Sequence, residues 1–204
     1  MPRQVPRHHV RSWAREALRT LVLVAGVLGA RATFADQYTV PSGSMEPTVQ
    51  VADRVLVHKA AYGLRVPLSD VYLVRFAAPA RGDVVVLASP ENGQVLLKRV
   101  VAVGGDRVQV RGGALELNGV PVPVSGGPAP REQLGRRAHP LGLGHGGGPD
   151  LGPVTVPADQ VLVMGDNRGN SHDGRAFGFV PRRTIYGRGV GIFLRAGRPT
   201  WQPL

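Results

Sequence analysis

Two serines flanking one glycine, a lysine inside an apolar run, and a polar turn with a third serine, an aspartate and an arginine could do chemistry in this 204-residue chain. Ser42 and Ser44 lie in PSGSMEPT, residues 41–48. Residues two apart on an extended chain face the same side, so both hydroxyls can enter one cleft while Gly43 admits a second backbone. The same letters also make an ordinary Ser/Gly/Pro turn. Lys98 lies in LLKRVVAV, residues 96–103, where alternation groups it with Leu96 and Val100 and groups Arg99 with Leu97 and Val101 on the other face. Burial disfavours an ammonium and lowers its pKa by as much as about 3–5 units, which suits a general base near neutrality. Arginine keeps its proton and cannot do this. A lysine snorkelling from a strand edge would fit the same pattern. Of 25 basic residues only Lys59 and Lys98 are lysines, so a task needing an amine that can lose its proton has two candidates.

GDNRGNSHDGR, residues 165–175, adds Ser171, Asp173 and Arg175. Asp173 and Arg175 can pair and brace the turn, leaving Ser171 to hydrogen-bond another buried group. His172 beside Asp173 raises a rival Ser-His-Asp arrangement, but adjacent residues on extended chain point apart, which places Asp173 poorly to orient His172. The chain has no cysteine, so a disulfide, a thiolate metal site and a cysteine nucleophile are all excluded. His139 and His145 lack a carboxylate or cysteine at ligand spacing, and no metal is expected there.

Short strands must position these groups. Aromatics are 5% while Gly (28) and Pro (18) are abundant, which favours β structure joined by turns. Strand-like runs cover Gln37–Val40, Arg54–His58, Val84–Ala88, Val95–Val103, Arg107–Val110, Val154–Val163 and Val190–Leu194. The Gly112-Gly113 and Asn118-Gly119 pairs make Arg107–Val122 an antiparallel meander. Thirteen of the 27 residues from Gly126 to Gly152 are Gly or Pro, the composition of a flexible surface insertion, placed at about 124–153.

The N-terminal part is basic, then apolar. Arg3, Arg7, Arg11, Arg15 and Arg19 precede Thr20–Ala30, an uncharged run of 11 residues. As helix this run is roughly 16 Å long, against a hydrocarbon core about 30 Å thick. It fits a cleaved secretory signal with small residues at Ala30 and Ala32. It equally fits an uncleaved anchor from Trp13 to Phe34, with Arg19 and Arg31 snorkelling to opposite headgroup layers. The net charge of +11 would suit nucleic acid, but its N-terminal concentration suits an anionic membrane surface at least as well.

In order along the chain, PSGSMEPT, RGDVVVL (81–87), LLKRVVAVGGDRV (96–108) and GDNRGNSHDGRAFGFVP (165–181) resemble the boxes of bacterial type I signal peptidases, a family of Ser/Lys-dyad serine proteases. The resemblance favours the anchor, and implies a mainly β, antiparallel catalytic domain with a minimal inserted β subdomain and one N-terminal membrane helix. Residues 1–12 would form a basic cytoplasmic N-terminus, 13–35 the anchor and 36–204 the catalytic domain. It further implies Ser44 as nucleophile, Lys98 as base, Ser42 as an oxyanion donor, Ser171 as the residue that positions the lysine, and Asp173–Arg175 as a supporting ion pair. Substrate would lie as an added strand between Gln37, Tyr38, Thr39, Val40 and Val95, Leu96, Leu97. Partners would be exported preproteins with small residues before the cut and the lipid bilayer, with no nucleic acid, cofactor or metal. The enzyme would be a single-pass monomer of the bacterial cytoplasmic membrane with its site on the outer face. Three departures stand out: Gly169 and Gly174 replace polar residues, the insertion is short and Gly-rich, and there is one anchor. A specialised peptidase maturing conjugative pilus proteins would carry the same boxes. Self-cleaving repressors share the dyad, but the chain shows no helix-turn-helix segment. A non-catalytic membrane-tethered module would have no use for all four polar side chains, Ser42, Ser44, Lys98 and Ser171.

Overall fold

Valine builds the central sheet. In Arg54–His58 the alternation puts Val55 and Val57 inward, while in Val84–Ala88 four successive apolar residues are buried because that strand is covered on both faces. The computed structural model describes residue 13 and residues 15–23, 35–65, 72–135 and 137–204. Its largest sheet runs in the order Ala35–Thr39, Arg54–His58, Ile185–Arg195, Val84–Ala88, Val95–Val103, Gln160–Met164, Val180–Pro181, with Arg198–Pro203 also on Ile185–Arg195. All these pairings are antiparallel.

A second sheet orders Leu151–Thr155, Arg107–Arg111, Ala114–Leu117 and Val120–Pro121. The two dipeptide turns expected from sequence close it, pairing Arg111 with Ala114 and Leu117 with Val120. One run divides: Val154–Val163 becomes the end of Leu151–Thr155 and all of Gln160–Met164, because Pro157 cannot donate to a ladder and its carbonyl instead accepts from Gln160 N at 3.0 Å.

The Gly/Pro-rich segment corrects the expectation of a flexible surface insertion. It holds a three-stranded sheet of Val124–Ser125, Arg131–Leu134 and Arg137–Pro140, and Glu132, Leu134, His139 and Leu141 are buried. Leu134 packs in the cluster containing Val101, Val108, Leu115, Leu162 and Met164, so this sheet shares a core with the strand that carries Lys98. Its inward alternation is four residues long and is diluted by the surrounding glycines and prolines.

Residues 15–23 are helical and exposed, whereas residues 24–34 of the sequence-proposed anchor lie outside the described residues. Among the described residues no helix is long and apolar enough to cross a membrane. The packing of Leu134 gives a direct test. Leu134→Ala should destabilise the fold by about 2–5 kcal/mol in chemical denaturation, as for a core leucine, and a change within about 0.5 kcal/mol would return the segment to the surface.

Candidate active site

Ser44 is held by a turn that its apolar neighbours pin down. After Thr39 the chain stays extended through Ser42 (φ −141°, ψ 157°) and then tightens into a 3₁₀ turn, Gly43–Met45. Met45 is buried with Val40, Val49 and Val55. The two serine hydroxyls therefore meet through a turn rather than along a continuous strand, with their Oγ atoms 3.5 Å apart. Asn167 clamps the turn from across the site, its N–H donating to Ser44 O and its Nδ2 to Gly43 O, each at 3.1 Å.

Lys98 lies opposite Val85 in the sheet and is 3% exposed. Its Nζ is 2.6 Å from Ser44 Oγ, and Ser44 is itself 9% exposed. Burial lowers the Lys98 pKa to about 8, against the pull of the Asp173 and Asp166 carboxylates and with help from the Arg175 charge. An amine with that pKa, in hydrogen-bond contact with a hydroxyl, can take its proton near neutral pH.

The turn at 165–175 surrounds this pair. Asp173 is fully buried and accepts from Arg175 Nε and Nη2, both at 2.8 Å, and from Gly165 N at 3.0 Å. Burial works to raise its carboxyl pKa, but the Arg175 hydrogen bonds and charge hold it below the ordinary value. Ser171 Oγ is buried close to Asp173 but completes no hydrogen bond there or with Lys98. A Cβ at Gly165 would stand 2.3 Å from both Ser171 Oγ and Ser44 O, so this glycine lets the two serines approach. His172 points elsewhere: its side chain is 64% exposed and Nε2 meets Glu91 Oε2 at 2.8 Å. With Asp173 committed to Arg175, no Ser-His-Asp triad forms.

Sequence reasoning left the neighbours of these groups unassigned. Arg99, on the face opposite Lys98, is 2% exposed and makes a two-pronged bond to Asp166, Nε to Oδ1 at 2.8 Å and Nη2 to Oδ2 at 2.7 Å, while Thr48 Oγ1 donates to Oδ2 at 2.5 Å. Arg168 is buried against Glu132 and Gly113 O, and His139 Nε2 lies 3.4 Å from Glu132 and 3.6 Å from Asp166. A guanidinium facing into an apolar strand must have a buried acid, and that demand was the available signal. The departures at Gly169 and Gly174 also find a cause. A Cβ at Gly169 would be 2.0 Å from His145 O and one at Gly174 would be 2.7 Å from Leu162 Cδ1, so the Gly-rich segment and the sheet lie directly on this turn. Arg175 Nη1 adds a bond to Gly147 O at 2.6 Å.

Beside the pair lies a cleft of about 190 Å³ lined by Tyr38, Thr39, Val40 and Pro41 on one side and Val86 and Val95–Leu97 on the other. Three strands separate Ala35–Thr39 from Val95–Val103 in the sheet order, so the sheet must curl to bring them to one cleft. Gln37 is in the first strand, opposite Leu56, but not on the cleft wall. Among the described residues Ala35–Thr39 has a strand partner on one side only, and Val95–Lys98 likewise, since pairing with Gln160–Met164 begins at Arg99. Two open edges over an apolar floor can take an extended peptide. Among the described residues no group of three or more acidic or histidine side chains could hold a metal ion.

A family model described as signal peptidase, peptidase S26, matches residues 11–194. The chain is 34% identical over 192 residues to a signal peptidase I of Leptolyngbya laminosa, covering 90% of this chain and 81% of that one. It is 33% identical over 193 residues to a signal peptidase I of Pseudomonas aeruginosa, covering 82% and 68%. A crystal structure of a signal peptidase I from Enterococcus faecalis V583 is 29% identical, matching 54% of this chain and 95% of that chain with a TM-score of 0.38.

With two lysines in the chain, the Lys98 titration can be followed directly by ¹³C NMR of lysine-labelled protein, the signal being assigned by its loss in Lys98→Arg. Its midpoint should fall near 8. A midpoint at the ordinary 10.5 would show a solvated amine.

Proposed function

Since the chain belongs to the signal peptidase family, peptidase S26, and is a serine endopeptidase that removes signal peptides, we propose that it does so with a Ser44–Lys98 dyad while anchored in the membrane by its N-terminal segment. The contact of 2.6 Å between Lys98 Nζ and Ser44 Oγ, in a site that keeps the amine dry, is the observation that carries this reading.

In the proposed reaction a preprotein lies extended between the open edges at Gln37–Val40 and Val95–Leu97. The cleft of about 190 Å³, narrowed by Val86 and Leu97, favours small side chains just before the scissile bond. Neutral Lys98 accepts the Ser44 proton as Oγ attacks the carbonyl carbon. The charge that develops on the carbonyl oxygen is held by the Ser44 N–H and the Ser42 hydroxyl. As the C–N bond breaks, the Lys98 ammonium gives its proton to the leaving amine. Water, deprotonated by the same lysine, then releases the acyl group and restores Ser44. Ser171, with its buried hydroxyl uncommitted, orients the amine through this cycle, and the Asp173–Arg175 pair keeps the turn in place.

Kinetics on a fluorescent signal-peptide substrate in detergent test the assignments. Ser44→Ala should leave no turnover, whereas Ser42→Ala, which spares one oxyanion donor, should lose roughly 10²–10³-fold in kcat. Lys98→Arg should fold and be inactive, with Lys59→Arg and His172→Ala retaining activity. The rate should rise with pH through about 8 as Lys98 loses its proton, and keep that limb in His172→Ala. Activity surviving in Lys98→Arg but lost in His172→Ala would overturn the dyad. For the anchor, carbonate extraction should leave the protein in the membrane fraction and intact mass should include residues 1–34; a soluble chain beginning at Thr33 would mean the segment is cleaved.

A further inference from the structure

Away from the cleft, three arginines surround one carboxylate in a cavity of about 460 Å³. Arg81, Arg137 and Arg188 line it with Asp83, and the small side chains of Ala61 and Ala77 leave it open. Asp83 is already committed, since Tyr62 Oη and Ala80 N both donate to its Oδ2 at 3.0 Å. Arg137 and Arg188 stand 3.9 Å from its Oδ1, beyond hydrogen-bond range. Arg188 makes no side-chain hydrogen bond among the described residues, and Arg137 makes one, to Leu204 O at 3.0 Å. Arg81 is paired with Asp106. The cavity thus holds a surplus of positive charge and of unused, forked N–H donors, the arrangement that recognises a phosphate group.

Two neighbouring features say what kind of phosphate. Leu73, Val74 and Phe76 are each more than half exposed and lead directly into Ala77 at the cavity wall, while Phe76 N reaches Tyr62 O at 3.4 Å. Exposed apolar side chains on a strand that leads to an arginine cluster match a molecule with acyl chains and an anionic head. The other feature is position. The chain enters the main sheet at Ala35 opposite His58, and Ala61 of the cavity wall is three residues beyond His58, at most roughly 10 Å along the chain. The cavity therefore lies near the point where the N-terminal segment meets the folded domain.

We propose that this cavity binds the headgroup phosphate of an acidic phospholipid, with Arg137 and Arg188 as the phosphate donors and Leu73, Val74 and Phe76 against the acyl region. The site rests on the membrane-anchored reading above and adds a lipid contact that sets the height and tilt of the catalytic domain at the bilayer surface.

Native mass spectrometry of the full chain released from uncharged detergent micelles tests this, with dioctanoyl phosphatidylglycerol, dioctanoyl phosphatidylcholine and inorganic phosphate as probes. Phosphatidylglycerol adducts should exceed those of phosphatidylcholine and fall about tenfold or more in the double variant Arg137→Gln/Arg188→Gln. They should persist in Arg107→Gln/Arg198→Gln, which removes the same charge from exposed positions elsewhere. Leu73→Ser/Phe76→Ser should also weaken them. An equal loss in the control pair would reduce the effect to net charge and sink the proposal. Inorganic phosphate competing as well as the lipid would show a free-anion site and overturn the lipid assignment. The same spectra report intact mass, so cleavage of the N-terminal segment is read separately from the adducts. Turnover of a soluble peptide in lipid-free micelles should be unchanged in Arg137→Gln/Arg188→Gln, which separates the lipid site from the dyad.

Discussion

An amine that must stand without its proton near neutral pH has to be kept dry among charges that cancel one another. Lys98 has two carboxylates, Asp166 and Asp173, near enough to favour its charged form. Each is held by its own guanidinium, Asp166 by Arg99 and Asp173 by Arg175. Paired in this way, the acids leave a weak residual field at Nζ, and burial decides the outcome. Were either arginine lost, the orphaned carboxylate would be a buried charge without a partner and would hold the lysine proton more firmly. The site's chemistry thus depends on ion pairs that touch no reacting atom.

That requirement reaches into every part of the fold. Arg99 is carried by the same strand as Lys98 and turns to the opposite face, so one strand supplies both the proposed base and a clamp on the turn beyond Gly165. The inserted sheet sends Glu132 to Arg168, and the glycine-rich stretch gives Gly147 O to Arg175. The same stretch can lie so close only because residue 169 has no side chain. At residue 169 the backbone carbonyls of His145 and Gly146 occupy the space that a side chain would need.

Some of this was legible in the residues. Strand alternation put Lys98 and Arg99 on opposite faces, the scarcity of lysine left Lys59 and Lys98 as the candidate bases, and the closeness of Asp173 and Arg175 in sequence suggested the pair that forms. Alternation says that a guanidinium is buried without saying which acid meets it, because Arg99 and Asp166, 67 positions apart, carry no local signal of their meeting. Composition misled at Arg131–Pro140, where three residues, Glu132, Leu134 and His139, turn inward and Leu134 joins a core. Local reasoning did see that Asp173 is poorly placed to orient His172, but nothing in sequence pointed to Glu91 as the partner of that ring.

The Asn167 clamp has a consequence for timing. Gly43 C=O and Ser44 N–H belong to one rigid peptide plane, so the bond from Asn167 Nδ2 to Gly43 O fixes the aim of the Ser44 N–H as well. Glu46 N donates to the same carbonyl at 3.1 Å, and two donors on one oxygen polarise the amide at its other end. In the proposed reaction that dipole is already set in the resting enzyme, so when negative charge appears on the substrate no backbone has to turn to meet it. The reorganisation that water would have to carry out during the reaction was completed when the chain folded.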